Sequence, residues 1–225
     1  MTPRKKFDLS LLPDCPDLTY ECELWGKGFH IVAGVDEAGR GALAGPVAAG
    51  AVVLPNDLPD LAEQLAGVND SKLMSPETRE IKAAVIKAVA LSWGVGFAAA
   101  VEIDRIGILP ATYLAVKRAL LQLKLDLEHI LVDFFALPDI DIPQTPLVKG
   151  DARCLSIAAA SVLAKTERDK LLIAMDGEFP GYHLASNKGY ATEEHRHAIV
   201  QLGPCEQHRK TFSPVKEYYS LFPPK

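Results

Sequence analysis

Cysteine is scarce and scattered in this chain: Cys15, Cys22, Cys154 and Cys205 are all it has, and no two stand in a CxxC pair. That spacing suggests neither a disulfide framework nor a structural zinc site. Long apolar runs are lacking as well. The richest stretches, Gly41 to Leu54 and Ser156 to Ala164, fall short of the roughly 18 residues a membrane span needs. The N-terminal MTPRKKFDLSLLPDC is basic but lacks the apolar core of a secretory signal, so a cytoplasmic location is expected. No internal repeat appears, and no Gly-Lys-Ser/Thr phosphate loop. A basic excess is missing too: the net charge is -5, which argues against an unselective binder of polyanions. Residues 151–225 hold ten Lys/Arg against nine Asp/Glu, leaving 14 against 20 in the first 150 residues.

What is present is an ordinary globular composition, 48% apolar and 24% charged over 225 residues, enough to bury a core. Residues 1–16 read as a polar tail and 18–25 as a short amphipathic helix. IVAGVD (31–36) and PVAAGAVVL (46–54) read as buried strands joined by a glycine-rich turn, EAGRGALAG. Ser75 before Pro76 and Glu77 marks a helix start, with a capping hydroxyl and a proline in the first turn. That helix should run to about residue 90. SWGVGFAAA (92–100) predicts a third strand, and the stretch after it a helix, a break at Pro110 and a longer helix. HILVDF (129–134) predicts a fourth strand and residues 146–149 a fifth. A long alanine-rich helix follows from about 152 to 175, then loops and a short helix near 192–202. Strands alternating with helices predict an α/β fold: a mixed five-stranded sheet flanked by helices, with a small helical C-terminal appendage. The expected division is a tail and short helix over 1–29, a main domain over 30–177 and a helical segment over 178–225.

Four acids fall at strand ends or helix starts: Asp36, Glu37, Asp133 and Asp151. Such positions often gather at one edge of an α/β sheet. Asp36 and Asp133 each follow an apolar run, where a charge is costly unless paired or bound to a metal. Carboxylates held this way suit hard divalent cations. A turn role would also explain Asp36 and Asp133, and an N-cap on the long helix would equally explain Asp151. The turn GRGALAG is followed by a strand rather than the helix a dinucleotide loop requires. Its glycines let backbone amides approach a ligand closely, although on spacing alone a tight hairpin turn explains them better.

Taken together, GVDEAGRGALAGPVAAGAVVL, NDSKLMSPETR, LVDFF, VKGDARCLSIAAASVLAKTERD, NKGYATEEH and HRKTFSPV resemble bacterial ribonuclease HII, in that family's order, from about residue 30 to 215. The resemblance implies a ribonuclease H-like domain and an endonuclease that cuts the RNA strand of RNA–DNA hybrids and 5′ of ribonucleotides embedded in DNA. It implies two divalent ions, Mg²⁺ or Mn²⁺, held by Asp36, Glu37, Asp133 and Asp151. Gly39, Arg40 and Gly41 match the motif that recognises the RNA–DNA junction, and Tyr190 the tyrosine that stacks on the deoxyribose beyond it. The expected partners are RNA–DNA hybrid and ribonucleotide-containing duplex, with no membrane, and the expected state is a monomer. Two departures stand out. Many relatives carry Gly-Asn after the third acid, where this chain has Phe134 and Phe135. Many have SKKL where this chain has SKLM, which leaves Lys72 alone.

Lys72, Lys149, Lys165, Arg168, Lys188, Arg209 and Lys210 are candidates for phosphate contacts, and family position favours Lys72, Lys188 and Arg209. His195 and His197 are two apart and would face away from each other on a helix. A zinc site is therefore not expected, and the histidines are read as surface or substrate-proximal groups.

Overall fold

The computed structural model describes residues 12–133 and 136–221. Phe134 and Phe135, and the first eleven residues of the expected tail, lie outside the described residues. The chain runs through α1 (Thr19–Trp25), β1 (Val32–Ala38), β2 (Val47–Val53), α2 (Leu61–Gln64), α3 (Pro76–Val89) and β3 (Ser92–Ala98). It continues through α4 (Ala100–Ile106), α5 (Ile108–Leu123), β4 (His129–Asp133) and β5 (Gln144–Leu147). A 3₁₀ turn (Gly150–Ala152) precedes α6 (Leu155–Glu178), α7 (Leu184–Asn187), α8 (Glu193–Leu202) and α9 (Val215–Leu221). The strands form one mixed sheet in the order β3-β2-β1-β4-β5. Among the described residues no helix is long and apolar enough to cross a membrane.

Local chemistry explains several of these boundaries. Ser75 caps α3 by accepting the Thr78 amide, with Pro76 in the first turn. Thr192 caps α8 by accepting the His195 amide. The break between α4 and α5 falls at Gly107, whose φ of 85° ends α4, and not at Pro110. A proline that early in a helix has no intrahelical acceptor to lose, so Pro110 is accommodated inside α5. The fifth strand begins two residues earlier than expected, at Gln144, because its pairing with β4 starts at Ile130↔Gln144.

The chain groups into two compact units, each drawn from three stretches of sequence. The first comprises the described parts of Met1–Asp36, Ala51–Trp93 and Leu123–Val162. In it β4 pairs in parallel with β1, through Val32↔His129 to Val35↔Val132, and with β5 on its other side. Leu24, Val32, Leu131, Leu147, Cys154 and Ile157 pack into one apolar cluster. Glu21 of α1 reaches the start of α6, where its Oε1 accepts the Ser156 amide at 2.7 Å and the Cys154 thiol at 3.1 Å. Burial pushes the Glu21 carboxyl up, against those hydrogen bonds.

The second unit comprises Glu37–Gly50, Gly94–Gln122 and the described part of Leu163–Lys225. The expected C-terminal segment therefore groups with the glycine-rich turn and with α4 and α5. Apolar clusters in it centre on Leu172, Tyr182, Leu184 and Ala198, and on Leu43, Ile199 and Val215.

Candidate active site

In the first unit, strand register brings the acids together. Val35 pairs with Val132 across β1 and β4, and the next residue on each strand is an aspartate. Neighbouring strands run about 4.8 Å apart and side chains alternate between faces, so Asp36 and Asp133 share a face. Asp36 is 4% exposed. Asp133 accepts the Gly150 amide on Oδ1 at 2.7 Å, which ties the end of β4 to the turn that carries Asp151. Asp151 itself is buried and lies within the 3₁₀ turn, four residues ahead of α6. It is not the helix N-cap that the sequence allowed, and capping does not account for it.

Lys72 reports on these carboxylates. Its Nζ stands 3.6 Å from Asp151 Oδ2 and 3.7 Å from Asp70 Oδ1, while its backbone amide donates to Asp70 at 2.9 Å. The loop below is pinned by Ser71, whose hydroxyl meets that of Ser161 at 2.9 Å and whose carbonyl accepts Arg79. Desolvation pulls the Lys72 pKa down, but the combined field of Asp70, Asp36, Asp151 and Asp133 outweighs it and leaves the pKa raised. Three of the four predicted acids thus act on one cationic centre. They are not clamped together: among the described residues no three His, Cys, Asp or Glu side chains are grouped closely enough to hold a metal ion between them. Mutual repulsion of like charges opposes tighter convergence. Chemically the set still fits magnesium or manganese, which accept a few carboxylates and complete their shells with water and phosphate oxygens.

In the second unit the fourth acid, Glu37, accepts from Arg40 at 3.0 Å. Arg40 is partly exposed and Gly41 exposed, whereas Gly39 is buried. The turn they form is held from behind by buried cations. Arg209 donates from Nε to the Gly45 carbonyl at 3.0 Å, and from its two terminal nitrogens to the Arg40 and Gly39 carbonyls, both at 2.7 Å. Arg168 donates to the carbonyls of Pro46, Lys188 and Ala44 at 2.8, 2.9 and 3.1 Å. Only glycine fits at position 39: its φ is 87°, and a Cβ there would stand 2.0 Å from Arg168 Nε. Burial, then the charge of Arg168, pushes the Arg209 pKa down.

These contacts correct two sequence expectations. Arg168 and Arg209 are fully buried, with guanidinium donors directed at carbonyls. They shape the turn and are not surface contacts for phosphate. Lys165 is likewise engaged, at 2.7 Å from Asp169. Lys149 and Lys210 are exposed. Lys188 is half-buried and adopts a left-handed conformation, with its Nζ on the Ala185 carbonyl. Tyr190 is half-buried, and Lys165 Nζ and the Arg168 guanidinium lie 5.2 and 5.4 Å from its ring centre.

Sequence reasoning missed a further pair. His195 and His208 are both fully buried, with Nε2 atoms 3.1 Å apart; they are not surface groups. A signal was available for His195. It shares the inner face of α8 with Ala198 and Ile199, at the i, i+3, i+4 spacing of a buried stripe. His197 is exposed, so the two do face apart.

Residues 33–215 match the family described as Ribonuclease HII. Ribonuclease HII of Dehalococcoides mccartyi is 47% identical over 207 residues, 92% of this chain and 97% of that protein. That of Moorella thermoacetica is 52% identical over 193 residues, 86% of this chain and 91% of that protein. Among solved structures, the ribonuclease H2 from Pyrococcus horikoshii OT3 superposes with a TM-score of 0.68 at 25% identity, covering 85% of this chain and 98% of that one.

Proposed function

Since the chain belongs to the ribonuclease HII family and is a ribonuclease H, an endonuclease for RNA–DNA hybrids, we propose a specific cut. It falls within the RNA of a hybrid, or on the 5′ side of a ribonucleotide embedded in DNA, and leaves a 3′-hydroxyl and a 5′-phosphate. The observation that carries this reading is the juxtaposition of the acids: Asp36 and Asp133 follow the paired Val35 and Val132, Asp133 Oδ1 accepts the Gly150 amide next to Asp151, and Lys72 Nζ stands 3.6 Å from Asp151 Oδ2. A phosphate on the 5′ side of a ribonucleotide is out of reach of that nucleotide's own 2′-hydroxyl, so an external water must attack. The water oxygen bonds to phosphorus, the P–O3′ bond breaks, and the 3′ oxygen takes up a proton.

Asp36, Glu37, Asp133 and Asp151 would hold two divalent ions, Mg²⁺ or Mn²⁺, which when bound supply an activated water and stabilise the departing oxygen. Lys72 offsets the repulsion among the acids and reaches solvent, where it can meet a phosphate. Gly39, Arg40 and Gly41 present backbone groups to the 2′-hydroxyl, the group that separates RNA from DNA. Tyr190 offers a ring face to the neighbouring deoxyribose, and Lys188 a contact to the backbone beyond. Arg209 acts one step back, by holding the turn. Such an enzyme would work as a cytoplasmic monomer in removing misincorporated ribonucleotides and RNA primers.

The test is cleavage of an end-labelled hybrid, first with chelator and then with Mg²⁺ or Mn²⁺ restored. Cleavage should vanish and return, with 3′-hydroxyl and 5′-phosphate ends. Products ending in a 2′,3′-cyclic phosphate, or cleavage that persists in chelator, would overturn the reading.

A further inference from the structure

The buried histidines of the second unit form a chain whose direction is fixed by its ends. At one end His195 Nδ1 lies 2.9 Å from the Tyr190 carbonyl oxygen. A carbonyl only accepts, so His195 carries its proton on Nδ1. At the other end the Cys205 amide donates to His208 Nδ1 at 3.0 Å. An amide only donates, so His208 is bare at Nδ1 and protonated at Nε2. The two Nε2 atoms meet at 3.1 Å, and these assignments make His208 the donor and His195 the acceptor. The protons close only if both rings are neutral. A charged ring would place two N–H groups head to head.

The surroundings enforce that neutrality. Both residues are fully buried. Burial lowers the pKa of His195, and burial together with the neighbouring His195 lowers that of His208 to about 4. Tyr182 packs against His208 with ring centres 4.8 Å apart and planes tilted by 60°, and anchors its own hydroxyl on the Gly203 carbonyl at 2.5 Å. The Cys205 thiol stands 3.1 Å from His208 Nδ1, and burial keeps it in the neutral form that tolerates a bare ring nitrogen.

We propose that His195 and His208 are positioning residues for Tyr190: the one-way chain from the Cys205 amide to the Tyr190 carbonyl fixes where the tyrosine ring is presented to substrate. The same chain ties Tyr190 to the segment that carries Arg209, whose amide donates to the Leu43 carbonyl at 2.8 Å. The recognition ring and the glycine turn thus share one rigid mount. This inference rests on the proposal that Tyr190 contacts substrate.

Two measurements test it. Nitrogen-15 NMR of the wild-type enzyme should find His195 as the Nδ1–H tautomer and His208 as the Nε2–H tautomer, both neutral at pH 7. The opposite tautomer at either ring, or a charged ring, would overturn the chain. Kinetics then ask whether it serves Tyr190. His195→Leu removes the side-chain partner of the Tyr190 carbonyl, which keeps only the Thr192 amide at 2.9 Å, and should lower kcat/KM at a single ribonucleotide in DNA about tenfold. His195→Asn keeps an N–H where Nδ1 stood and should stay within about twofold of wild type. In a Tyr190→Ala background His195→Leu should cost nothing further. If Tyr190→Ala alone cleaves like wild type, the premise fails and this inference with it, even if the tautomers are as stated. If Tyr190→Ala is slow but His195→Leu is normal, or its loss multiplies in the Ala background, the premise stands and the positioning role is refuted.

Discussion

The two units use charge in opposite ways. In the first, Asp36, Asp133 and Asp151 act on the one exposed ammonium of Lys72. In the second, the guanidiniums of Arg168 and Arg209 are fully buried and direct their donors at six backbone carbonyls. Hydrogen bonds to carbonyls compensate the desolvation of an arginine and hold the backbone, while leaving its charge in place. On the proposed reading, the aspartates of the first unit serve chemistry, and the buried arginines of the second serve architecture. Substituting the first should silence the enzyme without melting it, and substituting the second should destabilise the fold.

The sharpest version of that contrast is Asp36→Asn. Loss of a carboxylate central to transition-state stabilisation should slow hybrid cleavage on the order of a thousandfold. Hybrid affinity and melting temperature should stay near wild type. Wild-type turnover would contradict the assignment of Asp36. The mirror experiment is Arg209→Gln, which leaves buried carbonyls without their donors and should lower unfolding free energy by roughly 3–5 kcal/mol in urea titration. A variant that unfolds like wild type and only binds hybrid more weakly would break the comparison.

Acid separates the units by sign. The folded-state pKa of His208, about 4, lies below its ordinary value near 6.5. The stability this group contributes is therefore complete above pH 6.5 and lost as pH falls towards 4, by about 3 kcal/mol in all. His195, also lowered, acts in the same direction. Glu21 has a raised pKa, so its contribution is complete below the ordinary carboxyl value and lost as pH rises through the folded one. Urea titrations across this range should show His208→Gln flattening the slope above pH 4, and Glu21→Gln gaining stability relative to wild type as pH rises towards 7. An unchanged slope in His208→Gln would show that His208 is not held neutral.

Tyr190→Ala should reduce cleavage at a single ribonucleotide by roughly five- to 150-fold, the range for loss of one stacking contact of about 1–3 kcal/mol. Tyr190→Phe should retain most activity, because the ring face does the stacking. An alanine variant that melts early yet cleaves normally at low temperature would make Tyr190 a packing residue. Ser75→Ala removes the side-chain cap of α3 and should cost about 1 kcal/mol with no change in kcat/KM.

Much of this was legible in the sequence wherever the determinant is local. The Ser75-Pro76 helix start, the apolar strands and the acids that follow them are written in adjacent residues, and so is the separation of His195 from His197. What was not legible depends on partners distant in sequence. Nothing near Arg168 or Arg209 says that their acceptors are the carbonyls of residues 39–46 and 188, so both read as candidates for phosphate contact. A cap remained open for Asp151 beside a ligand role because the sequence does not reveal that a 3₁₀ turn separates it from α6. The break before α5 was assigned to Pro110 because proline is the stronger punctuation on paper, whereas backbone geometry puts it at Gly107. Glu21 carries no local sign that it will cap a helix 135 residues away.

The most direct test of this division of labour is to offer the enzyme duplex DNA containing one ribonucleotide and map the products of wild type, Asp36→Asn and Tyr190→Ala at a temperature where all three are folded. Wild type should make a single cut on the 5′ side of the ribonucleotide, Asp36→Asn should bind the duplex but not cut it, and Tyr190→Ala should cut at the same bond more slowly. A cut on the 3′ side, or equal rates for Asp36→Asn and wild type, would contradict the assignment of chemistry to the first unit and recognition to the second.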